Sequence, residues 1–140
     1  KRYGIAISHD LLERGSELFI AKTVIHEMLH AYFKIQLDKD GIEQGMDDFV
    51  SDFYKIDYIF KEKFKKDTEH EMMSKMYVEL LAESLAAYDD NKHELSYYRS
   101  LAWAGLEQTN EYKNLSEEEK TQIRKIAEYE RESNPNHLCN

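Results

Sequence analysis

A single proline, Pro135, stands in 140 residues. Proline is the residue that breaks a helix from within, because it lacks the backbone N–H and its ring strikes the preceding turn. Only five glycines accompany it, so long stretches of this chain carry nothing that stops a helix once begun. Apolar residues recur along those stretches at three- and four-residue intervals, the helical period. The fold is therefore expected to be mainly α. One exception lies at the N-terminus, where Tyr3, Ile5 and Ile7 alternate with small neighbours and read as a short strand.

Local punctuation divides the rest. Gly15 and Ser16 precede an unbroken helical pattern to about Leu37, with Ser16 as N-cap. The polar stretch LDKDGIEQG reads as a turn, and a second helix follows from Met46 to about Phe64. Thr68 and Glu71 match a capping box opening a third helix to about Tyr88, and a fourth runs from Glu94 to Glu107. Ser116 and Glu119 form a second such box, opening a last helix to about Glu132. About five helices and a strand suit one domain over residues 1–140.

Charge and cysteine usage narrow the chemistry. The formal net charge of −9 would repel a phosphate backbone, so no nucleic-acid partner is expected. Cys139 is the only cysteine, which removes intrachain disulfides and thiolate zinc clusters and leaves His, Asp and Glu to hold any metal. No apolar run is long enough for a membrane span and no signal pattern opens the chain, which favours the cytoplasm. The first residue is not Met, so the chain is read as compatible with being the C-terminal part of a longer one.

Residues 23 to 33, TVIHEMLHAYF, carry the string HEMLH. Two imidazoles one helical turn apart stand above one another and can reach one ion. His26 and His30 meet that requirement. Glu27 lies between them, placed to take a proton from a water activated by the same ion. On a wheel of 100° per residue, Lys22, Thr23, His26, Glu27, His30 and Lys34 fall within roughly 140°, opposite Val24, Met28, Tyr32 and Ile35. That pattern alone also describes a plain amphipathic helix with a solvated polar face. Phe19, Phe33 and Leu37, on the histidine side, argue instead that something packs over it.

The same eleven residues resemble the active helix of SprT-like (Spartan) metallopeptidases, which belong to the zincins. The resemblance implies zinc held by His26 and His30 and Glu27 as general base. It covers about a dozen residues and departs where those proteins supply a third histidine from a His-Gly turn, because the comparable turn here reads Gln44-Gly45. The metzincin layout is excluded as well, since Phe33 and Gln36 occupy its Gly and His positions.

The third ligand must come from elsewhere. His70, Glu71, Glu79 and Glu83 lie on the third predicted helix, and His9, His93 and His137 lie outside regular patterns. His70 shares its helical side with Met73, Tyr77 and Leu81, whereas Glu79 and Glu83 face away, so His70 is favoured. The stretch EHEMMSKMYVELLAESLAAYD also resembles a group of uncharacterised bacterial zincin-like proteins, which implies the same role for His70. Glu79 remains the alternative because its E-L-L-A string resembles the Glu-x-x-Ala ligand string of gluzincins. Glu71 is accounted for as a cap.

Met72, Met73, Met76, Tyr77, Tyr97, Tyr98 and Trp103 read as core, although a tyrosine or Arg99 is a candidate donor to a developing oxyanion. The expectation is a zincin-like domain, a Zn2+-dependent metallopeptidase acting on protein or peptide. The alternative is a catalytically inactive metal-binding or helical protein-interaction domain.

Overall fold

The structure is a computed structural model that describes residues 4–40 and 65–134, with side chains described over 4–35 and 69–134. It is mainly helical, as expected. Among the described residues there is no strand: residues 4–7 are irregular, and Tyr3 lies outside them. Three alternating residues have no neighbouring strand to complete a ladder, and without one the period-2 pattern has nothing to pair with. The helix expected over Met46–Phe64 and the Gln44-Gly45 turn also lie outside the described residues.

Helix α1 (His9–Arg14) has Ser8 as N-cap, its hydroxyl accepting from the Leu11 N–H at 3.1 Å. Six residues are too few to leave a periodic signature, and the sequence reading missed it. Helix α2 (Glu17–Asp40) begins where expected: the Ser16 hydroxyl accepts from the Phe19 N–H at 3.0 Å. It outlasts its predicted end, because residues 37–40, read as part of a turn, remain helical.

Helix α3 (Lys65–Met72) passes through a π-helical turn (Met73–Tyr77) into α4 (Val78–Tyr88). Thr68 is thus inside a helix and not at its start, and the T-x-x-E string is no capping box. The π turn inserts one extra residue into the helical register. Upstream the buried positions are Glu69 and Met72, within the turn Met73 and Ser74, and downstream Val78, Leu81, Ala82, Leu85 and Ala86, while Met76 and Leu80 are exposed. The insertion lets one rod turn Glu69 and His70 toward α2 and still present Leu81 and Leu85 to the core.

Helix α5 (Leu95–Trp103) folds back along α4 through a turn in which Asp90 and Asn91 adopt positive φ, a conformation that Asp and Asn tolerate. Tyr98 is fully buried, and its hydroxyl donates to Asp89 Oδ2 at 2.7 Å and accepts from the His93 N–H at 3.0 Å, pinning that turn. A short α6 (Asn110–Lys113), also unforeseen, has Thr109 as its N-cap. Helix α7 (Glu117–Arg131) starts with the predicted capping box: the Glu119 N–H donates to the Ser116 hydroxyl at 3.1 Å and the Ser116 N–H to Glu119 Oε2 at 2.8 Å. Phe19 and Phe33 of α2, Leu81 and Leu85 of α4, Leu101 of α5 and Ile126 of α7 belong to one core.

Helix α2 is rotated from what hydropathy suggests, with Leu18 in the core and Ala21, Ile25 and Leu29 packed at its edge. Lys22, His26 and His30 are buried, while Met28, Tyr32 and Ile35 on the apolar side are exposed. The polar face points inward because it meets partners there.

Candidate metal centre

Those partners come from α3 and from the segment after α5. His26 and His30 stand one turn apart on α2, and α3 brings His70 across to them. His70 Nε2 lies 3.3 Å from His26 Nε2 and 3.0 Å from His30 Nε2. The three histidines thus offer nitrogens close enough to bind one metal ion.

Protonation supports that use. Glu69 is 2% exposed, and its Oε2 lies 3.0 Å from His30 Nδ1. A carboxylate only accepts, so Nδ1 carries the His30 proton and Nε2 turns a lone pair toward the centre. Two nitrogens at tetrahedral positions around zinc are about 3.4 Å apart, given bonds of about 2.0–2.1 Å. The observed 3.0 and 3.3 Å separations are close to that spacing. Three imidazoles with a carboxylate behind one of them form a donor set suited to zinc.

Glu69 was missed from sequence. The available signal was its position, immediately before the favoured third ligand on a face already argued to turn inward.

The wall behind His26 is backbone. Gly105 has φ +95°, and a Cβ placed on it would sit 3.3 Å from His26 Cε1. Only glycine adopts that conformation readily, and only a residue without a side chain lets the loop approach the ring this closely. The Gly105 N–H donates to both carboxylate oxygens of Glu107, at 3.1 and 2.9 Å. Next to it the Ala104 carbonyl accepts from Lys22 Nζ at 3.3 Å.

Lys22 is 6% exposed, with its ammonium 4.4 Å from the centre of the Phe19 ring. Burial lowers its pKa to about 8; Glu107 holds back part of the fall, Arg131 adds to it, and Glu27 also opposes it. Glu27 itself is half-buried, one residue beyond His26.

The other candidates lie elsewhere. Glu79 is exposed and ion-paired with Arg99, Oε1 to Nε at 2.5 Å, which keeps its carboxyl below the usual range. Glu83 is exposed as well. His9 pairs with Glu13 at 2.9 Å on the surface of α1, and His93 stacks on Tyr97 with ring centres 4.0 Å apart. His137 lies outside the described residues.

Glu71 is not a cap, since its Oε1 accepts from the Asn110 N–H at 2.9 Å. Among the candidate oxyanion donors, Arg99 is held by Glu79, Tyr98 by Asp89, and Tyr97 by Glu130 with its hydroxyl pKa raised by burial and that bond. Met72, Met73, Tyr98 and Trp103 are core, whereas Met76 is 40% exposed.

The chain matches no family model, no curated protein and no solved structure. Among the described residues no helix is long and apolar enough to cross a membrane.

Proposed function

We propose that this chain is a zincin-like, zinc-dependent metallopeptidase in which His26, His30 and His70 hold the metal and Glu27 is the general base. The observation that carries the reading is the convergence of three imidazole nitrogens around one point, with a glutamate in the same helical turn as two of them. Structural zinc sites fill all four positions with protein groups, whereas a site of three leaves one open to water or substrate. Among the described residues, the group that offers ligand atoms to one ion has three members.

Bound zinc would supply Lewis acidity, polarising a carbonyl and making water acidic enough to attack it near neutral pH. Glu27 takes the proton from the attacking water and returns it to the leaving amine nitrogen. Glu69 holds His30 in the tautomer whose Nε2 can donate a lone pair. Gly105 backs the His26 ring, limiting how far it can swing. The substrate is a protein or peptide.

Glu27→Gln tests the reading. Elemental analysis should find about one zinc per chain in both proteins, while the variant should lose at least about 100-fold in cleavage of a quenched fluorescent peptide library. A wild type that holds zinc and cleaves nothing would leave a metal-binding domain without catalysis. Equal turnover by the two proteins would remove Glu27 from its role.

A further inference from the structure

We infer that Lys22 and Glu107 are positioning residues of the metal centre: they hold one peptide unit, that between Ala104 and Gly105, from its two ends, and so fix the backbone on which the His26 ring rests. This role rests on the zinc reading above. Lys22 is buried on α2 one turn before His26 and two before His30, so the three share a face. Its Nζ donates to the Ala104 carbonyl at 3.3 Å, and the Gly105 N–H of the same peptide unit donates to Glu107 at 3.1 and 2.9 Å. A cation meets the negative end of this peptide dipole and an anion the positive end.

The turn explains why such a hold is needed. Ala104 lies at φ −62°, ψ 125° and Gly105 at φ +95°, and the Leu106 N–H donates to the Trp103 carbonyl at 2.9 Å, which makes residues 103–106 a type II turn. The commoner type I turn joins the same ends with its central peptide rotated by nearly half a revolution. Glycine at the third position adopts either form, so the residues of the turn do not themselves choose between them. Rotation would take the Ala104 carbonyl from a buried ammonium and the Gly105 N–H from a carboxylate, breaking two charge-assisted bonds. Each charged group therefore selects the observed form.

The selection reaches the metal centre through contact. A Cβ on Gly105 would stand 3.3 Å from His26 Cε1, so the ring lies beside the Gly105 backbone. Cε1 is bonded to Nε2, the atom that His26 turns toward His70 at 3.3 Å. A wall that shifts changes where that nitrogen points. Because Lys22 and His26 stand on one helix, the wall is tied to the element that carries the ligand.

Zinc affinity measured against a chromophoric chelator at neutral pH, together with the visible spectrum of the cobalt-substituted protein, tests the hold. Glu107 is exposed, so Glu107→Ala should leave the unfolding midpoint of the apo protein nearly unchanged. It should nevertheless lower zinc affinity by roughly tenfold, the low end of what groups supporting metal ligands contribute, and alter the cobalt spectrum. Glu107→Gln keeps an acceptor for the Gly105 N–H and should recover most of that loss. Lys22→Met should weaken zinc binding to a similar degree. Since both residues act on one peptide unit, the double variant should lose clearly less than the product of the two single losses.

The turn itself is read in the apo protein. The nuclear Overhauser effect between the Ala104 Hα and the Gly105 N–H, strong at the observed ψ, should weaken in Glu107→Ala as the rotated form is populated. Wild-type zinc affinity and cobalt spectrum in Glu107→Ala, an unchanged Overhauser effect, or losses that multiply in full in the double variant would overturn the positioning role while the metal centre stands. A wild type that takes up no zinc would overturn both.

Discussion

His30 donates its Nδ1 proton to Glu69 Oε2 across 3.0 Å, joining a residue of the HEMLH string to a carboxylate 39 positions later. Both side chains are almost fully buried, 7% and 2% exposed. Carboxylates behind metal-binding histidines raise ligand basicity and fix ring orientation, and their loss typically costs about 10- to 100-fold in metal affinity. Glu69→Gln retains an acceptor but not the charge, so a loss of roughly tenfold is expected. Titration against a chromophoric chelator measures it. Unchanged affinity would show that Glu69 does not orient the ligand.

Gly105→Ala attacks the other side of the centre. The new methyl would stand 3.3 Å from His26 Cε1 on a backbone at φ +95°. Strain of this kind costs of order 1–3 kcal/mol. The apo variant should unfold at a lower denaturant concentration, and the displaced His26 should weaken zinc binding and alter the visible spectrum of the cobalt-substituted protein. Loss of stability with an unchanged cobalt spectrum would confine the glycine to a folding role.

Lys22 sets a pH dependence. Its pKa falls to about 8 in the folded chain, chiefly through burial. Between about pH 8 and the ordinary lysine value the unfolded chain holds a proton that the folded chain has released, so stability rises with pH across that window. For this one group the full rise is on the order of 3 kcal/mol. In the apo protein, the unfolding free energy of wild type relative to Lys22→Met should therefore increase between pH 7 and pH 10. A constant difference would mean that Lys22 keeps an ordinary pKa.

Metal should stabilise the folded state, because the unfolded chain does not hold the three imidazoles together. Free zinc at 100 times its dissociation constant would add about 2.7 kcal/mol, raising the unfolding midpoint by roughly 8 °C for a chain of this size. A chelator should reverse the shift in wild type. His70→Ala should show neither the rise nor the reversal.

The parts of the centre legible in sequence were those governed by helical spacing. His26 and His30 at i and i+4 predict their own proximity; His70 does reach them, but the wheel that set it beside Tyr77 and Leu81 assumed an unbroken α-helix, and the π turn between them removes that reason. The inward rotation of α2 was harder to see. The general hydropathy pattern places Lys22, His26 and His30 outside; Phe19 and Phe33 on the same side hinted otherwise and are buried, and the polar groups turn inward with them because Glu69, His70 and the Ala104 carbonyl meet them from positions remote in sequence. Capping strings divided in the same way. Ser116 and Glu119 formed the box they suggested, but Thr68 and Glu71 matched the same four-residue pattern inside a helix already under way. Such a short string cannot report what precedes it.

The π turn at Met73–Tyr77 behaves as a phase joint. Upstream of it the helix brings Glu69 and His70 to α2 while Met72 already joins the apolar core, and downstream Leu81 and Leu85 continue that core, one extra residue being absorbed between them. Deleting one residue within the turn would restore an unbroken α-helix and leave its two halves at nearly their present angle, whereas straightening the turn at its full length would rotate one half by about 100° against the other. Either the histidine would leave its companions or the leucines would leave the core. The same offset bears on tracing distant relatives: a comparison that steps through these five positions without a gap will set His70 in register with the wrong face whenever the relative lacks the extra residue.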